Sequence, residues 1–324
     1  MNRTYVIIAA VIAITLIVSG SFVIYYQGQI SDSGIEGLLN LVDDHDYTTS
    51  LSAYPDQIVS LAPSCTEILF AIDAGDKVVA VTDYCDYPYY FAAWVEAGNM
   101  TSVGGFENPN VEVIASLDPD LILTSGGIQE ETVGALRDLG YKVVVLDPAN
   151  IDGVLQNIEL VGKATGKNVE ATALVDAITH RIDAVANKVA DVASKPKVYY
   201  EVWFSAQSIY SVGAKGWETA LIAKAGGVNI FENDLLDYFQ TDSEVIISKN
   251  PDIILLPVGM ETLGVETPFW VSFDTVKARP AWDSTSAVQN DKLYQINGDA
   301  MLRAGPRMAD MIETLAEIFH PEVF

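Results

Sequence analysis

Residues 151–195 read IDGVLQNIELVGKATGKNVEATALVDAITHRIDAVANKVADVASK and contain no proline. Apolar residues recur there in steps of three and four, which is typical of two amphipathic helices that each bury one face. Gly162 and Gly166 interrupt the pattern, and Asn168 is a favourable N-cap residue for the second helix. At 1.5 Å per residue, a helix over 168–193 would span roughly 38 Å. A helix of that length can join two lobes, so we expect the fold to be organised around it.

The chain before this stretch and the chain after it repeat one order of elements. Residues 111–123 read VEVIASLDPDLIL, and residues 243–256 read SEVIISKNPDIILL. Each segment has a Glu, an apolar helical turn, a Pro-Asp pair and a strand that is apolar throughout, as in a parallel sheet covered on both faces. We therefore predict an α/β protein with two Rossmann-like lobes, each with a parallel sheet, joined by one long α-helix. The N-terminal lobe is expected at 57–150, the connecting helices at 151–195 and the C-terminal lobe at 196–324.

The N-terminal segment, residues 1–27, is typical of a chain that crosses or leaves the membrane. Residues 4–26 are nearly all apolar and long enough to span a bilayer. Arg3 precedes them and the next basic residue is Lys77, so the positive-inside tendency places the rest of the chain outside the cytoplasm. The segment is either an uncleaved anchor or a signal peptide cleaved at the small residues 19–21. The anchor is favoured because apolar residues continue beyond that point.

The composition is strongly acidic. The chain of 324 residues has 18 basic and 44 acidic residues, which give a net charge of −26. This charge argues against binding to nucleic acid or to anionic lipid, since both require basic patches. It is compatible with a salty medium, although charge alone does not establish one. The acidic residues 28–56 predict a polar linker, with room for a short helix over 35–42.

Several segments, taken in their order along the chain, carry a family resemblance. They read IVSLAPSCTEILF at 58–70, VTDYCDYP at 81–88 and AGGVNIF at 225–231, with the two x-Pro-Asp segments among them. Together they resemble the helical-backbone class of substrate-binding proteins, which serve ABC importers for vitamin B12 and ferric siderophores. The resemblance covers residue 57 to the C-terminus. It implies a rigid two-lobed receptor with one linker helix, which binds a metal chelate between its lobes and passes it to a permease dimer with its ATPase.

The resemblance also implies roles for two glutamates. In the family, a Glu on each lobe docks onto arginine pockets of the permease dimer, and the matching residues here are Glu112 and Glu244. They belong to the two repeated segments, which suits a dimeric partner with two equivalent sockets. Charge-assisted pairing between arginine and carboxylate supplies the physical motive. The alternative is that both carboxylates only favour the start of a helix through its dipole.

The candidate ligand-binding residues follow from the places where strands end, because ligands on such sheets bind beyond the C-terminal strand ends. The candidates are Ser64, Cys65, Tyr84, Phe106, Trp203 and Arg303. Tyr84 and Trp203 directly follow strands and are the stronger candidates for contact with a planar ligand such as a corrin ring, with Trp270 as a further aromatic. Any one of these aromatics can instead belong to the core. Arg303, with Arg307 nearby, either meets an anionic group of the ligand or pairs with local carboxylates.

Neither the histidines nor the cysteines predict a site for a bare metal ion. His45, His180 and His320 fall outside the expected strand ends, whereas sites for zinc or manganese ions need clustered imidazoles. The ligand is therefore expected to arrive already chelated, and the protein is expected to need no cofactor of its own. Cys65 and Cys85 follow neighbouring predicted strands, whose backbones would lie about 4.8 Å apart. They can form a disulfide outside the cytoplasm or remain buried free thiols.

Two other classes of function compete with transport. The sequence has no G-x-G-x-x-G, no Walker A pattern and no recognisable nucleophile–base pair, so we expect no enzyme. Ser64 stands at a strand-to-helix turn but lacks the flanking glycines of a nucleophile elbow. The other alternative is a membrane-tethered ligand sensor that reuses the binding fold. A neighbouring permease and ATPase gene pair would favour transport over this sensor.

Overall fold

The structure is a computed structural model, and it describes residues 37–205, 208–259 and 271–324. The N-terminal segment of residues 1–27 and the side chain of Trp270 lie outside these ranges. Among the residues that are described, no helix combines the length and the apolar character needed to cross a membrane.

Strands and helices alternate along most of the chain. The strands are β1 (Leu39–Val42), β2 (Thr48–Leu51), β3 (Ile58–Ser60), β4 (Val78–Val81), β5 (Thr101–Ser102), β6 (Leu121–Thr124), β7 (Val143–Val145), β8 (Lys197–Ser205), β9 (Ser208–Val212), β10 (Val228–Asn229), β11 (Tyr238–Thr241), β12 (Ile253–Val258) and β13 (Leu293–Asn297). The helices are α1 (Pro63–Ala71), α2 (Phe91–Glu96), α3 (Val111–Ser116), α4 (Glu130–Asp138), α5 (Ile151–Thr165), α6 (Asn168–Val189), α7 (Trp217–Lys224), α8 (Ser243–Lys249), α9 (Phe273–Lys277), α10 (Ser286–Gln289), α11 (Gly298–Leu302) and α12 (Met308–Phe319).

The N-terminal lobe is built on a parallel five-stranded sheet in the order β5-β4-β3-β6-β7. Successive residues of a strand point to opposite faces, and here both faces are covered. Ile58 of β3 packs in one cluster with Ile68 of α1 and Ile158 of α5. Val59 packs on the other face with Ile114 of α3 and Leu136 of α4. The predicted parallel sheet with helices on both sides is therefore present.

The C-terminal lobe has a mixed sheet in the order β11-β9-β8-β12-β13, with β10 paired to β8. Strands β8, β12 and β13 are parallel, as the repeat predicts, whereas β9 and β11 are antiparallel to their neighbours. The predicted parallel sheet is therefore present in β8, β12 and β13, and the antiparallel strands β9 and β11 extend its edge. The physical reason is that β9 begins only three residues after β8 ends, and so short a connection can join only antiparallel strands.

The stretch 151–195 contains the two connecting helices. Helix α5 is capped by the Asn150 side chain, which accepts a hydrogen bond from the Gly153 N–H, and it ends at Gly166 with φ 76°. Helix α6 has 22 residues, so it is about 33 Å long. It ends at Val189, earlier than the expected residue 193, and Asn168 is its first residue rather than its cap. Its buried face packs against α12 of the C-terminal lobe, so α6 joins the two lobes.

From residue 37 onward, a β-hairpin of β1 and β2 stands in place of the polar linker expected over 28–56 and the short helix expected over 35–42, whose first residues lie outside the described ranges. Leu41 and Leu51 bury their side chains in the core. Asp43 is buried beside Arg137 of α4, with 2.6 Å between Oδ2 and Nη2. The hairpin is therefore part of the N-terminal lobe, and it is fixed by contacts with residues far along the chain that its own sequence does not reveal.

Candidate functional site

A cavity of about 390 Å³ lies between the lobes and opens to solvent. Its wall from the N-terminal lobe consists of Ala62, Pro63, Ser64, Tyr84, Phe106, Ser125, Leu146, Asp147 and Pro148. Its wall from the C-terminal lobe consists of Trp217, Asp299, Leu302, Arg303 and Ala304. We call this cavity the cleft.

The cleft lies at the C-terminal edge of the N-terminal sheet. Ser64 lies in the first turn of α1 shortly after β3, Tyr84 follows β4, Ser125 follows β6 and Leu146 follows β7. Because the strands are parallel, their ends meet at one edge, and the residues that follow them converge there. The strand pattern of the sequence thus explains most of this wall.

Aromatic and aliphatic side chains make most of the cleft surface apolar. The rings of Tyr84 and Phe106 meet edge to face, with 6.3 Å between centroids. Trp217, the first residue of α7, adds an indole from the opposite lobe. Such a surface suits a ligand with a large flat or apolar face.

Arg303 joins the two lobes at the floor of the cleft. Its Nη1 donates to Glu67 Oε1 at 3.2 Å and to Asp86 Oδ1. Its Nη2 donates to Asp299 Oδ1 at 2.7 Å and to the carbonyl oxygen of Tyr84 at 3.2 Å. Four of the five N–H groups of this guanidinium therefore bind the protein itself. Of the two alternatives left open by the sequence, the structure shows pairing with local carboxylates.

Arg307 extends the same network. It forms a bidentate pair with Glu67, with Nε–Oε2 at 2.8 Å and Nη2–Oε1 at 2.6 Å. Glu67 is only 3% exposed, so this ion pair between the lobes is shielded from water. The network of Glu67, Asp86, Asp299, Arg303 and Arg307 contains three carboxylates and two guanidinium groups.

The excess of carboxylates affects Asp299. Burial is the main cause that raises its pKa to about 6, and the nearby carboxylates of Asp86 and Glu67 raise it further, against the opposing effect of Arg303 and Arg307. This corner of the cleft therefore disfavours additional negative charge.

Asp147 lies on the wall of the N-terminal lobe, two residues after the end of β7. Its Oδ2 lies 3.1 Å from Nε2 of His45, and its backbone N–H donates to Asp44 Oδ2 at 2.6 Å. Gly126 lies under it, and a Cβ at that glycine would collide with the Asp147 carboxylate. The β1–β2 hairpin thus holds one of the acidic groups of the cleft in place.

The structure brings four of the six candidate ligand-binding residues into the cleft wall, namely Ser64, Tyr84, Phe106 and Arg303. Trp203 does not line the cleft. It lies on β8 beyond the part that pairs with β12, and its ring packs 5.4 Å from that of Tyr210 on β9. It lies away from the other candidates because β8 continues into a hairpin instead of ending at the cleft, and its contact with a ligand stays a prediction.

Cys65 is the other candidate that does not line the cleft, because its side chain is fully buried in the core. Cys65 and Cys85 are both free thiols, so the disulfide alternative is not realised. Cys85 Sγ instead lies 3.1 Å from Oγ1 of Thr66 and 3.4 Å from Oγ1 of Thr82. Burial raises the pKa of both thiols, which keeps them protonated.

Sequence reasoning missed Asp147, Trp217 and Asp299 as cleft residues. Asp147 comes shortly after an apolar strand, and this position was a usable signal. Trp217 and Asp299 lie near the starts of α7 and α11, and they reach the cleft only through the packing of one lobe against the other. No local pattern in the sequence predicts how the two lobes pack.

Glu112 and Glu244 occupy equivalent places outside the cleft. Each lies in the first turn of its helix, α3 or α8, and each is exposed. The helix starts are capped alike, by the side chains of Asn110 and Asp242. Docking through these residues stays a prediction.

Three comparisons relate the chain to known proteins. A family model described as periplasmic binding protein matches residues 58–300. An uncharacterised ABC transporter substrate-binding lipoprotein of Bacillus subtilis is 29% identical over 288 residues, which are 87% of this chain and 85% of that protein. A cobalamin-binding protein of Halobacterium salinarum is 29% identical over 283 residues, covering 86% of this chain and 73% of that protein. The crystal structure of the periplasmic vitamin B12-binding protein of Vibrio cholerae matches with a TM-score of 0.67 at 26% identity, covering 82% of this chain and 97% of the other.

Proposed function

This chain belongs to the periplasmic binding protein family, and from that premise we propose that it is the extracytoplasmic substrate-binding component of an ABC importer. It captures a metal chelate in the cleft and delivers it to a permease dimer with its ATPase. The observation that carries this function is the cleft itself, an open, largely apolar cavity between two lobes at the C-terminal ends of parallel strands.

A corrinoid ranks first among the candidate chelates, and a ferric siderophore or haem ranks second. Support for a corrinoid comes from relatives named cobalamin-binding and vitamin B12-binding. The aromatic faces of Tyr84, Phe106 and Trp217 suit a planar macrocycle. Because the cleft opens to solvent, it can hold one face of a chelate that is larger than the cavity.

Delivery uses the two exposed glutamates. Glu112 and Glu244 each enter an arginine pocket on one permease subunit, where charge-assisted hydrogen bonds form. Their equivalent positions in the first turns of α3 and α8 support this pairing with a dimer. The lobes move little during capture, because α6 and the buried pair of Glu67 and Arg307 both join them.

The protein works outside the cytoplasm, held at the membrane by residues 4–26 or released after cleavage of that segment. The apolar length of the segment supports the anchor, and both cysteines lie well after it, so the anchor is peptide rather than lipid. The chain binds no nucleic acid, catalyses no reaction and needs no cofactor of its own. Its acidic charge and the transport family to which it belongs support these statements.

The direct experiment is a titration of the purified full-length chain with cyanocobalamin, ferric siderophores and haem, followed by intrinsic tryptophan fluorescence. We expect saturable binding of one chelate per chain to at least one of the three. If none of the three binds, the proposed transport of a metal chelate is contradicted, and a membrane-tethered ligand sensor becomes the better explanation.

A further inference from the structure

The ionisable groups that line the cleft carry an excess of negative charge. Among the described lining residues, Asp147 and Asp299 are acidic and Arg303 is basic. The two internal ranges that the structure does not describe, 206–207 and 260–270, contain no lysine, arginine or histidine in the sequence. The sequence therefore supplies no further cation from those ranges.

The one guanidinium of the described cleft wall is already neutralised. Both terminal nitrogens of Arg303 donate to carboxylates, reaching Glu67 and Asp86 through Nη1 and Asp299 through Nη2. An anionic ligand group would have to replace one of these bonds and leave a carboxylate without its partner. That exchange is unfavourable for groups as buried as Glu67.

The two acidic groups are held on opposite walls. Asp147 is fixed by His45, by Asp44 and by the absence of a side chain at Gly126, and half of its own side chain remains exposed to the cleft and solvent. Asp299 lies on α11 of the other lobe, mostly buried and hydrogen-bonded to Arg303. A ligand between the lobes therefore meets a carboxylate on each side.

Resting on the proposed binding function, we propose that Asp147 and Asp299 determine specificity by admitting neutral and cationic chelates and excluding polyanionic ones. A carboxylate on the ligand is repelled at close range by these two groups, and the apolar walls of the cleft concentrate their field. Exclusion by like charge is a common way to gain specificity without new attractive contacts. Corrinoids that carry only amide side chains and cationic ferric trihydroxamates are admitted, and ferric tricatecholates and polycarboxylate chelates, both polyanionic, are excluded.

The test compares ligands of one shape and different charge. Cyanocobalamin has no net charge, and hydrolysis of its side-chain amides gives monocarboxylic and tricarboxylic acids of nearly the same size. Ferrioxamine B, a cationic ferric trihydroxamate, and its N-succinyl derivative form a second series. Binding of each to the full-length chain is measured by calorimetry at low ionic strength, where surface screening is least.

We expect the tricarboxylic acid to bind the native chain at least about tenfold more weakly than cyanocobalamin. In the double variant Asp147→Asn, Asp299→Asn this ratio should shrink to about twofold, whatever the absolute affinity of that variant for cyanocobalamin. The control is Asp176→Asn, Asp183→Asn, which makes the same charge change at exposed positions of α6 outside the cleft. This control variant should show the same affinity ratio between cyanocobalamin and the tricarboxylic acid as the native chain. If the double variant does not fold, the single variant Asp147→Asn is used, because it alters an exposed side chain. It should reduce the logarithm of the affinity ratio between cyanocobalamin and the tricarboxylic acid by about half.

Equal affinity of the native chain for the neutral and acidic members would overturn the charge selection while leaving the binding function intact. A ratio that persists unchanged in the cleft variants would also overturn it. If no member of either series binds, the proposed function itself fails, and the selectivity fails with it.

Discussion

Arg303 and its neighbours show how a residue found correctly in the sequence can have a different role in the structure. Its position after the last strand places it in the cleft wall, as predicted. Its charge, however, is neutralised by Glu67, Asp86 and Asp299. Two of these carboxylates come from the other lobe, so no local pattern in the sequence could reveal the pairing. The rule that ligands bind beyond the C-terminal ends of strands thus locates Arg303 in the cleft wall. Contacts with residues far along the chain determine whether its charge is available to a ligand.

Trp203 and Trp217 show that contacts between distant residues also determine which aromatic side chains line the cleft. The sequence favours Trp203 because it follows a strand, but that strand continues into a hairpin with β9. Trp217 begins a helix and is brought to the cleft by the packing of the two lobes. Strand pairing and lobe packing are both set by contacts between distant residues, which one sequence does not show.

The docking glutamates can be tested without disturbing the cleft. Replacing both Glu112 and Glu244 by alanine should reduce uptake by the assembled importer at least about tenfold, because two charge-assisted pairs are lost. The affinity for the chelate should not change, since neither residue lines the cleft. Transport assays in reconstituted vesicles and calorimetry measure the two effects separately.

The matched control is Glu131→Ala, which removes an exposed carboxylate from the first turn of α4. It should leave uptake unchanged, although it weakens the same interaction with a helix dipole. Normal uptake by the Glu112→Ala, Glu244→Ala variant would show that these two residues serve only their helices.

Glu218 makes stability depend on pH. It is fully buried, accepts hydrogen bonds from the Tyr238 hydroxyl, and has a pKa raised to about 7, mainly by burial. Between its unfolded pKa, about 4.3, and about 7, the folded chain holds more protons at this site than the unfolded chain. The free energy of unfolding should therefore fall as pH rises from about 4.3 to about 7. Above that range, Glu218 should cause no further decrease.

Glu218→Gln should remove this contribution and raise the free energy of unfolding at pH 8 by up to roughly 3 kcal/mol. At pH 4.5 the variant and the native chain should be nearly equal. Urea unfolding at both pH values measures the difference, and the exposed Glu232→Gln serves as the control. A variant that is equally stable to the native chain at pH 8 would contradict the buried carboxyl as the cause.

At the scale of elements, the helices of 151–195 were well predicted and the first hairpin was not. Apolar spacing and two glycines located α5, α6 and the break between them. In β1 and β2 only Leu41, Thr49 and Leu51 are buried, and the other residues are partly or fully exposed. Their position depends on the ion pair of Asp43 with Arg137, a residue 94 positions later, so the sequence of the hairpin reads as a linker.

Close packing of α5 on α6 depends on Gly162. A Cβ at this glycine would collide with the Cβ of Ala171 on α6 and would meet the carbonyl oxygen of Lys167 at 3.0 Å. Gly162→Ala should lower the free energy of unfolding by about 1–3 kcal/mol despite the better helix propensity of alanine. Thermal or urea unfolding measures this effect.

Two further variants separate the collision from helix propensity. Adding Ala171→Gly to Gly162→Ala should recover part of the loss, because it removes the methyl group that is struck. Gly134→Ala in α4 places a Cβ in open space and should be neutral or stabilising. Destabilisation of the same size by Gly134→Ala would refute the close approach of α5 and α6 as the explanation.

At the scale of the whole molecule, two features of the described residues stand out in joining the lobes. One is α6, and the other is the buried charged network at the floor of the cleft. Glu67→Gln should lower the free energy of unfolding by about 3–5 kcal/mol, because Arg307 and Arg303 lose a buried partner. Urea unfolding monitored from both lobes tests this, and a loss of cooperativity between the lobes would accompany it.

Glu313→Gln is the matched control for this change. Glu313 also forms a bidentate pair, with Arg181, but its side chain is 37% exposed. The same substitution there should cost at most about 1 kcal/mol. Similar losses for Glu67→Gln and Glu313→Gln would show that the network between the lobes is no more important than a surface pair.

The most direct test of capture between the lobes compares two tryptophans. Calorimetric titration with cyanocobalamin is carried out on the full-length chain, on Trp217→Ala and on Trp203→Ala, with a ferric siderophore or haem in its place if that is the chelate bound. Trp217 lines the cleft and Trp203 lies outside it. We expect Trp217→Ala to weaken binding at least about tenfold, a loss of about 1.4 kcal/mol, and Trp203→Ala to change it less than twofold. An equal or larger loss with Trp203→Ala, or no binding by the native chain, would contradict capture in this cleft.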